Sequence, residues 1–296
     1  MQAFNYCRPT SFDEAFRWLA KVDQLVVPVA GATDLIPRIR DGLLRPDVVL
    51  DIKDLPDLRA LKRIHGGPAS VNSGTSDLYV GAAVRMNELA RSELVSSHWG
   101  VLALAAASMG NEQVRNRATI GGNICTASPA ADTAPALYAL EAAVCIKGPD
   151  GDRTVPIADF FAGPRKNALH RGELVAGLSI PQPPEGSIGH FEKLSRRKAG
   201  DLSIVSVAVL AVPANPSYRW RLALGAVGPT PLRSPESEAI LSASLTDEAI
   251  DRAAASAYGC CCPISDIRSG LEYRQAMVIN LTRRAIREVI ARMPAL

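Results

Sequence analysis

Two short turns carry the residue types from which an anion site is built. "AGATD", residues 30–34, stands at the end of the apolar run "LVVPV", and "TIGGN" spans residues 119–123. In each, small residues (Ala30, Gly31, Ala32; Gly121, Gly122) adjoin hydroxyl or amide side chains (Thr33; Thr119, Asn123). Such turns expose successive backbone N–H groups, and a glycine in a left-handed conformation lets those groups converge on an anion. A helix starting just behind the turn adds the partial positive charge of its first N–H groups. The chemistry to expect is the holding of a diphosphate, one loop to each half. Either turn alone is more often a tight connection than a ligand site. Neither a G-x-G-x-x-G nor a Walker A pattern occurs, so a dinucleotide held here is held without a Rossmann unit. The wider stretch "NRATIGGNICTASPAADTAPAL", residues 116–137, reads as neither helix nor strand, but as backbone that something approaches closely.

Other chemistry finds little support. His65, His98, His170 and His190 are far apart with no partner at ligand spacing, and they read as loop or surface residues. There is no G-x-S-x-G elbow and no H-E-x-x-H. Asp13 with Glu14, and Asp51 with Asp54, read as capping and turn residues. The six cysteines include the run Cys260–Cys261–Cys262 and contain no C-x-x-C, which fits a reduced, cytoplasmic setting. The triple run before a proline reads as small buried apolar side chains, and no metal site is expected. A net charge of +3 on scattered basic residues argues against a nucleic-acid surface. No apolar run is long enough to span a bilayer, and the N-terminus lacks the apolar core of a secretory signal.

The elements that must position the two turns follow from periodicity. Ser11 with Glu14 opens a helix carrying the stripe Ala15, Phe16, Leu19. "LVVPVAG" is a strand running into a turn, and "ATDLIPRIRDG" is a broken helix ending near Gly42. "DVVLDI" and "LYVGAAV" are strands, and "MNELARSELV" and "VLALAAASMG" are helices. "ALYALEAAVCIKG" is a helix running into a strand, and "RTVPIADFF" and "ELVAGLSIP" follow. "PQPPEGSIG", residues 181–189, is the linker candidate. After it, "HFEKLSRR", "LSIVSVAVLAVP" and "YRWRLALGAVG" read as consecutive antiparallel strands, with helices near 235–243, 246–258 and 270–292. Strands followed by helices indicate an α+β domain. A chain of 296 residues has room for two domains at roughly 150 residues each.

These segments, in this order, resemble the FAD-binding medium subunit of the molybdenum hydroxylases. The resemblance is carried by "VAGATDLIPRIRDGLLRPDVVLDI", "QVRNRATIGGNICTASPAADTAPAL", "FFAGPRKN", "ELVAGLSIP", "FEKLSRRKAGDLSIVSVAV", "GAVGPTPLR" and "PISDIRSGLEYRQAMV", and it covers nearly the whole chain. It implies an α+β protein. A two-lobed FAD-binding domain of the vanillyl-alcohol-oxidase or PCMH type would cover residues 1–180, its lobes dividing near 55–65. A linker would follow at 181–189, then a C-terminal domain at 190–296 with an antiparallel sheet and three helices.

The resemblance also implies a site. Val29, Ala30, Gly31, Ala32, Thr33, Asp34 and Leu35 would wrap the FAD pyrophosphate, and Ala118, Thr119, Ile120, Gly121, Gly122 and Asn123 would approach it from the other side. Ser128 and Asp132 would bond the ribityl and adenosine parts, with Val175 also at the cofactor. Lys193 would lie near the isoalloxazine ring and tune it, with Asp201 close by. A solvated lysine in the basic run "KLSRR" is the plainer reading of Lys193. Relatives often carry glycine where this chain has Ala32. Alanine fits if Ala32 keeps a negative φ, with Gly31 taking the unusual dihedral. No acid–base catalyst is implied in this chain. The implied activity is electron transfer through non-covalent FAD. Electrons would come from two-iron two-sulfur clusters on a small subunit and pass to NAD+ or another acceptor, while a large subunit holds molybdopterin. The three would form a heterotrimer, or a dimer of heterotrimers. Two alternatives stand beside this: a cofactor-free bridging subunit, and a stand-alone flavin oxidase with attachment through Cys125.

Overall fold

The computed structural model describes residues 3–68 and 76–294. The chain begins with a small parallel sheet built by two crossovers: β1 (Asn5–Cys7), α1 (Phe12–Leu19), β2 (Val26–Val29), α2 (Leu35–Arg40) and β3 (Val48–Asp51), in the order β1-β3-β2. Ser11 caps α1 by accepting the Glu14 N–H at 3.2 Å, while the Glu14 carboxylate reaches Thr10 N–H at 2.8 Å. Val29 lies opposite Asp51, so the turn after β2 opens at the carboxyl edge of this sheet. Asp51 is buried, accepts the Lys53 backbone N–H at 3.2 Å as a turn residue and is also bound by the Tyr6 hydroxyl and the Lys53 ammonium, while Asp54 pairs with Arg8 and Arg59.

The second lobe adds β4 (Leu61–His65) and β5 (Ser76–Gly81), then α3 (Met86–Arg91), α4 (Glu93–His98), α5 (Gly100–Ser108), α6 (Glu112–Arg115), α7 (Ile120–Cys125) and α8 (Ala134–Ala139). It closes with β6 (Ala143–Gly148), β7 (Gly151–Pro156), α9 (Ile157–Phe160), the small hairpin β8 (Phe161–Gly163) and β9 (Lys166–Asn167), and β10 (Leu174–Pro181). Its five-stranded sheet is antiparallel, in the order β4-β5-β10-β6-β7. The run "MNELARSELV" is two helices, because Ser92 adopts an extended ψ of 119° and restarts the chain as the N-cap of α4.

The C-terminal domain is a second antiparallel sheet: β11 (Ile188–Leu194), β12 (Val205–Ala214), β13 (Ser217–Gly225) and β14 (Leu232–Arg233). Helices α10 (Pro235–Ala243), α11 (Asp247–Gly259) and α12 (Leu271–Ile290) cover one face. The uninterrupted apolar run of β12 has a simple cause. Val205, Val207, Val209 and Ala211 face the helices of their own domain, while Ala208, Leu210 and Val212 enter the core of the second lobe. A strand buried on both faces cannot alternate apolar with polar residues. The two domains therefore share one sheet as a common wall.

Three local expectations are corrected by the backbone. "IGGNIC" is the helix α7, with Thr119 as N-cap; the glycines lower its helix propensity, but Gly121 is there because a Cβ would lie 2.5 Å from the Ala82 Cβ. Ala32, not Gly31, takes the left-handed conformation, with φ +65°. Gly31 is required for another reason: its missing Cβ would sit 2.3 Å from the Arg117 carbonyl oxygen. Lastly, Cys260 and Cys262 are exposed rather than buried, because they follow the end of α11 at the surface.

Two measurements follow. Left-handed backbone costs a β-carbon-bearing residue about 1 kcal/mol, so Ala32→Gly should hold stability level or raise it by up to that amount in urea unfolding, where glycine elsewhere in a turn would lower it. The second concerns acid. Hydrogen bonds from Arg153 hold the Glu173 carboxyl down at about 2. Burial works against ionisation of Glu192, but bonds from His190 and Arg284 outweigh it and hold that group at about 2 as well. Both depressed carboxyls stabilise the fold above their ordinary value of 4.5, and the contribution disappears as pH falls from there toward 2. The loss should be about 2 kcal/mol for each carboxyl, and Glu192→Gln should flatten the acid limb of the stability curve.

Candidate functional site

The parallel sheet and α7 bring the two turns into direct contact: Gly31 lies against the Arg117–Ala118 peptide, immediately before the cap of α7. Val29 is buried with Ile39 and Val49, and Ala32 and Leu35 rest on the same small cluster. This anchoring leaves the backbone between them turned outward. Among the described residues, no acceptor in the chain faces the N–H groups of Gly31, Ala32, Thr33, Asp34 and Leu35, and Asp34 makes no side-chain cap of its own helix. Five successive unclaimed amides on half-buried or exposed residues make a backbone edge of the kind that suits an anion. Arg165, on the β8–β9 hairpin of the second lobe, approaches Asp34 at 3.9 Å and flanks this edge.

The second turn behaves differently, and the expected pair of equivalent nests is not what forms. Ile120 N–H donates to the Val84 carbonyl at 3.0 Å, Gly121 N–H to the Ala82 carbonyl at 2.9 Å, and Gly122 N–H to the Thr119 hydroxyl at 3.2 Å. Asn123 N–H goes to the Thr119 carbonyl at 2.9 Å. What this turn offers is room. Gly122 is exposed, and a Cβ there would meet only the Thr119 hydroxyl oxygen, at 3.0 Å. Ala118 is buried and hands its carbonyl to Met86 N–H. The Asn123 side-chain oxygen accepts the Thr133 hydroxyl at 2.6 Å. Val175 lies next to Ala176, whose carbonyl holds Ala82 N–H, so a bulge in β10 supports α7 from below.

Beyond α7, the Ser128 hydroxyl accepts Ala130 N–H at 3.2 Å. Asp132 is buried, with both oxygens engaged inside the chain: Lys193 Nζ at 2.9 Å and the Ser203 hydroxyl at 2.6 Å. Burial raises the Asp132 carboxyl above its ordinary value, against the opposing pull of Lys193 and Ser203. Lys193 also donates to the Ser108 carbonyl at 3.1 Å, and its side chain is 8% exposed, so the solvated-lysine reading is wrong. The neighbouring basic residues stay in solvent while β11 turns Lys193 inward. Asp201 does not join this group; it accepts the Leu202 N–H at 2.9 Å.

Sequence reasoning did not reach the residues that hold this region from behind. Arg274 is 1% exposed and donates to the carbonyls of Ile204 and Ala226 at 2.7 and 3.0 Å and to Asp266 at 2.9 Å. Ala226 in turn donates to the Pro129 carbonyl at 2.8 Å, next to Ala130 and Asp132. The available signal was an arginine on the apolar stripe of a long amphipathic helix, eight residues after an aspartate. Two cavities of about 310 and 340 Å³ lie elsewhere, one beside His98 and Arg292 and the other beside Tyr79 and Arg153, and neither touches the two turns. Among the described residues no three metal-ligating side chains converge, and no helix is long and apolar enough to cross a membrane.

Comparison with known proteins agrees with this construction. Residues 2–183 match the family profile of the FAD-binding domain in molybdopterin dehydrogenase, and residues 190–289 that of the CO dehydrogenase flavoprotein C-terminal domain. The chain is 32% identical to the carbon monoxide dehydrogenase medium chain of Hydrogenophaga pseudoflava over 291 residues, covering 98% of each. It is 30% identical to the xanthine dehydrogenase FAD-binding subunit of Escherichia coli O157:H7, covering 97% of this chain and 96% of that one. A solved chain of the Hydrogenophaga pseudoflava carbon monoxide dehydrogenase superposes with a TM-score of 0.91 at 32% identity, covering 99% of both. The protein therefore belongs to the family of FAD-binding medium subunits of the molybdenum hydroxylases, an oxidoreductase family, and its larger N-terminal part is an FAD-binding domain.

Proposed function

We propose that this chain is the electron-transfer subunit of a molybdopterin-dependent hydroxylase or dehydrogenase. It would take electrons from iron–sulfur clusters on a small subunit and deliver them to NAD+ or another acceptor, with molybdopterin on a large third subunit. The observation that carries the reading is the row of unclaimed amides from Gly31 to Leu35 beside the open face at Gly122. When bound, FAD supplies a carrier that takes up electrons singly and gives them up singly or in pairs. The chain's own residues do the rest. The backbone amides of Gly31–Leu35, at the end of the Val29–Leu35 segment, would hydrogen-bond the diphosphate without a cation, and Ala118–Asn123 would hold the floor beside it. Ser128 and Val175 would complete the lining, and Asp201 stays outside it. Asp132 fixes Lys193, and Lys193 holds an ammonium charge in a water-poor position. An ammonium has three donors, and Asp132 and Ser108 take two, so one would remain for the cofactor.

In domain terms, residues 1–180 hold the cofactor, 181–189 link, and 190–296 form the wall behind Lys193. Six unpaired thiols favour a reducing, cytoplasmic setting. The alternative of a cofactor-free scaffold draws on Ala32 alone. Ala32 nonetheless adopts the left-handed conformation that leaves the amides free. Attachment through Cys125 draws little support, because burial pushes that thiol up to about 12.

The visible spectrum of the purified chain tests the proposal: flavin absorption is expected, and a colourless, folded protein would sink it. Gly122→Val should lose the cofactor while unfolding within about 1 kcal/mol of the unsubstituted apoprotein, since its side chain meets almost nothing in the chain. Gly121→Val should instead cost about 3 kcal/mol or more, by collision with Ala82. A Gly122→Val protein that stays fully yellow would show that the cradle is misplaced. For Lys193, the informative comparison uses an Asp132→Asn background, so that no buried carboxylate is left unpaired. There Lys193→Met should shift the flavin midpoint potential to more negative values by some tens of millivolts in a dye-linked titration.

A further inference from the structure

Three sulfurs close the C-terminal end of α11, away from the cofactor cradle. Cys260 caps the helix, Cys261 N–H donates to the Tyr258 carbonyl at 2.8 Å, and Cys262 N–H donates to the Val227 carbonyl at 2.8 Å. The sulfurs of Cys260 and Cys261 both reach the Ala257 carbonyl oxygen, at 3.1 and 3.2 Å, so they lie side by side. Cys260 and Cys262 are exposed, Cys261 is half-buried against the domain core, and all three are free thiols. The shared acceptor holds the two sulfurs on one side of the helix end. A hydrogen bond from Cys261, joined by one from the Ser234 hydroxyl, holds the Cys260 thiol down at about 6 against burial and the nearby Glu236. The same bond pushes Cys261 up. Burial raises the thiols of Cys125 and Cys145 instead.

We propose that Cys260 and Cys261 form a redox-active dithiol that reacts with hydrogen peroxide, Cys260 as the attacking sulfur and Cys261 as the resolving one. In the first step the Cys260 thiolate attacks a peroxide oxygen: an S–O bond forms, the O–O bond breaks, and the departing hydroxide takes a proton to become water. In the second step the Cys261 sulfur attacks the Cys260 sulfenic sulfur. An S–S bond forms, the S–O bond breaks, and the Cys261 proton leaves with the hydroxyl as a second water. Two electrons pass from the two thiols to the peroxide. Adjacent α-carbons stand about 3.8 Å apart, below the usual disulfide range, so the product is strained and readily reduced by a dithiol. That reversibility suits a sensor. Its outlet is in place: Cys262 is tied to Val227, and Val227 adjoins Ala226, which holds the Pro129 carbonyl beside the Asp132 loop.

Tryptic cleavage after Arg252 and Arg268 isolates all three cysteines in one peptide, residues 253–268. Treating the full chain with substoichiometric hydrogen peroxide should lower the mass of that peptide by two hydrogens, and dithiothreitol should restore it. Cys260→Ser should abolish the change and slow oxidation of the peptide at least about tenfold. Cys261→Ser should instead leave a sulfenic acid on Cys260 that dimedone traps. The proposal is overturned if the peptides of Cys7, Cys125 or Cys145 oxidise first, or if the disulfide still forms in Cys261→Ser.

Discussion

The site depends on a missing carbon. At Gly31 the first turn presses so closely on the Arg117–Ala118 peptide that any side chain would lie far inside van der Waals contact with a carbonyl oxygen. Because that gap is closed, β2 and α7 belong to one surface although ninety residues separate them in sequence. The free amides of the first turn are thereby fixed beside the chain that leads into the exposed glycine face of the second. Binding a doubly charged group through backbone dipoles needs this kind of fixed convergence, because amides recruited by a ligand would have to be ordered at its expense.

The second constraint is the shared wall. β12 carries apolar side chains into two cores at once, so the C-terminal domain is positioned by packing over its whole length, not by a few bonds. Against this apolar background the Lys193–Asp132 pair and the Arg274–Asp266 pair are the buried ionic ties, and each is completed by further hydrogen bonds. Buried pairs of this type add little net stability over well-packed apolar side chains, but they tolerate few alternative arrangements. Here they fix where one ammonium group sits.

The architecture was largely legible because its signals are local. Strand runs such as "DVVLDI" and the capped helix after Ser11 announce themselves within a few residues. The cofactor turns were legible as residue types, though not as geometry. Alanine carries no mark of a positive φ, so Ala32 read as ordinary and Gly31 took the role wrongly. The helix α7 was hidden because glycine is read as a helix breaker, whereas Gly121 answers to a neighbouring strand end thirty-nine residues earlier. The inward turn of Lys193 depends on Ser108 and Asp132, sixty or more residues away, and the bracing role of Arg274 on the carbonyls of Ile204 and Ala226, seventy and forty-eight residues away, beyond the reach of any short pattern.

The common wall also decides which part of the molecule can yield. A sheet packed on both faces cannot hinge without laying bare two apolar surfaces together, so the C-terminal domain is a poor door. The first turn and α2, by contrast, rest on a cluster whose buried members are only Val29, Ile39 and Val49. Loading and loss of a cofactor would therefore take place by loosening of this thin outer layer, with the thick inner one unmoved. The unclaimed amides from Gly31 to Leu35 would travel with that outer layer.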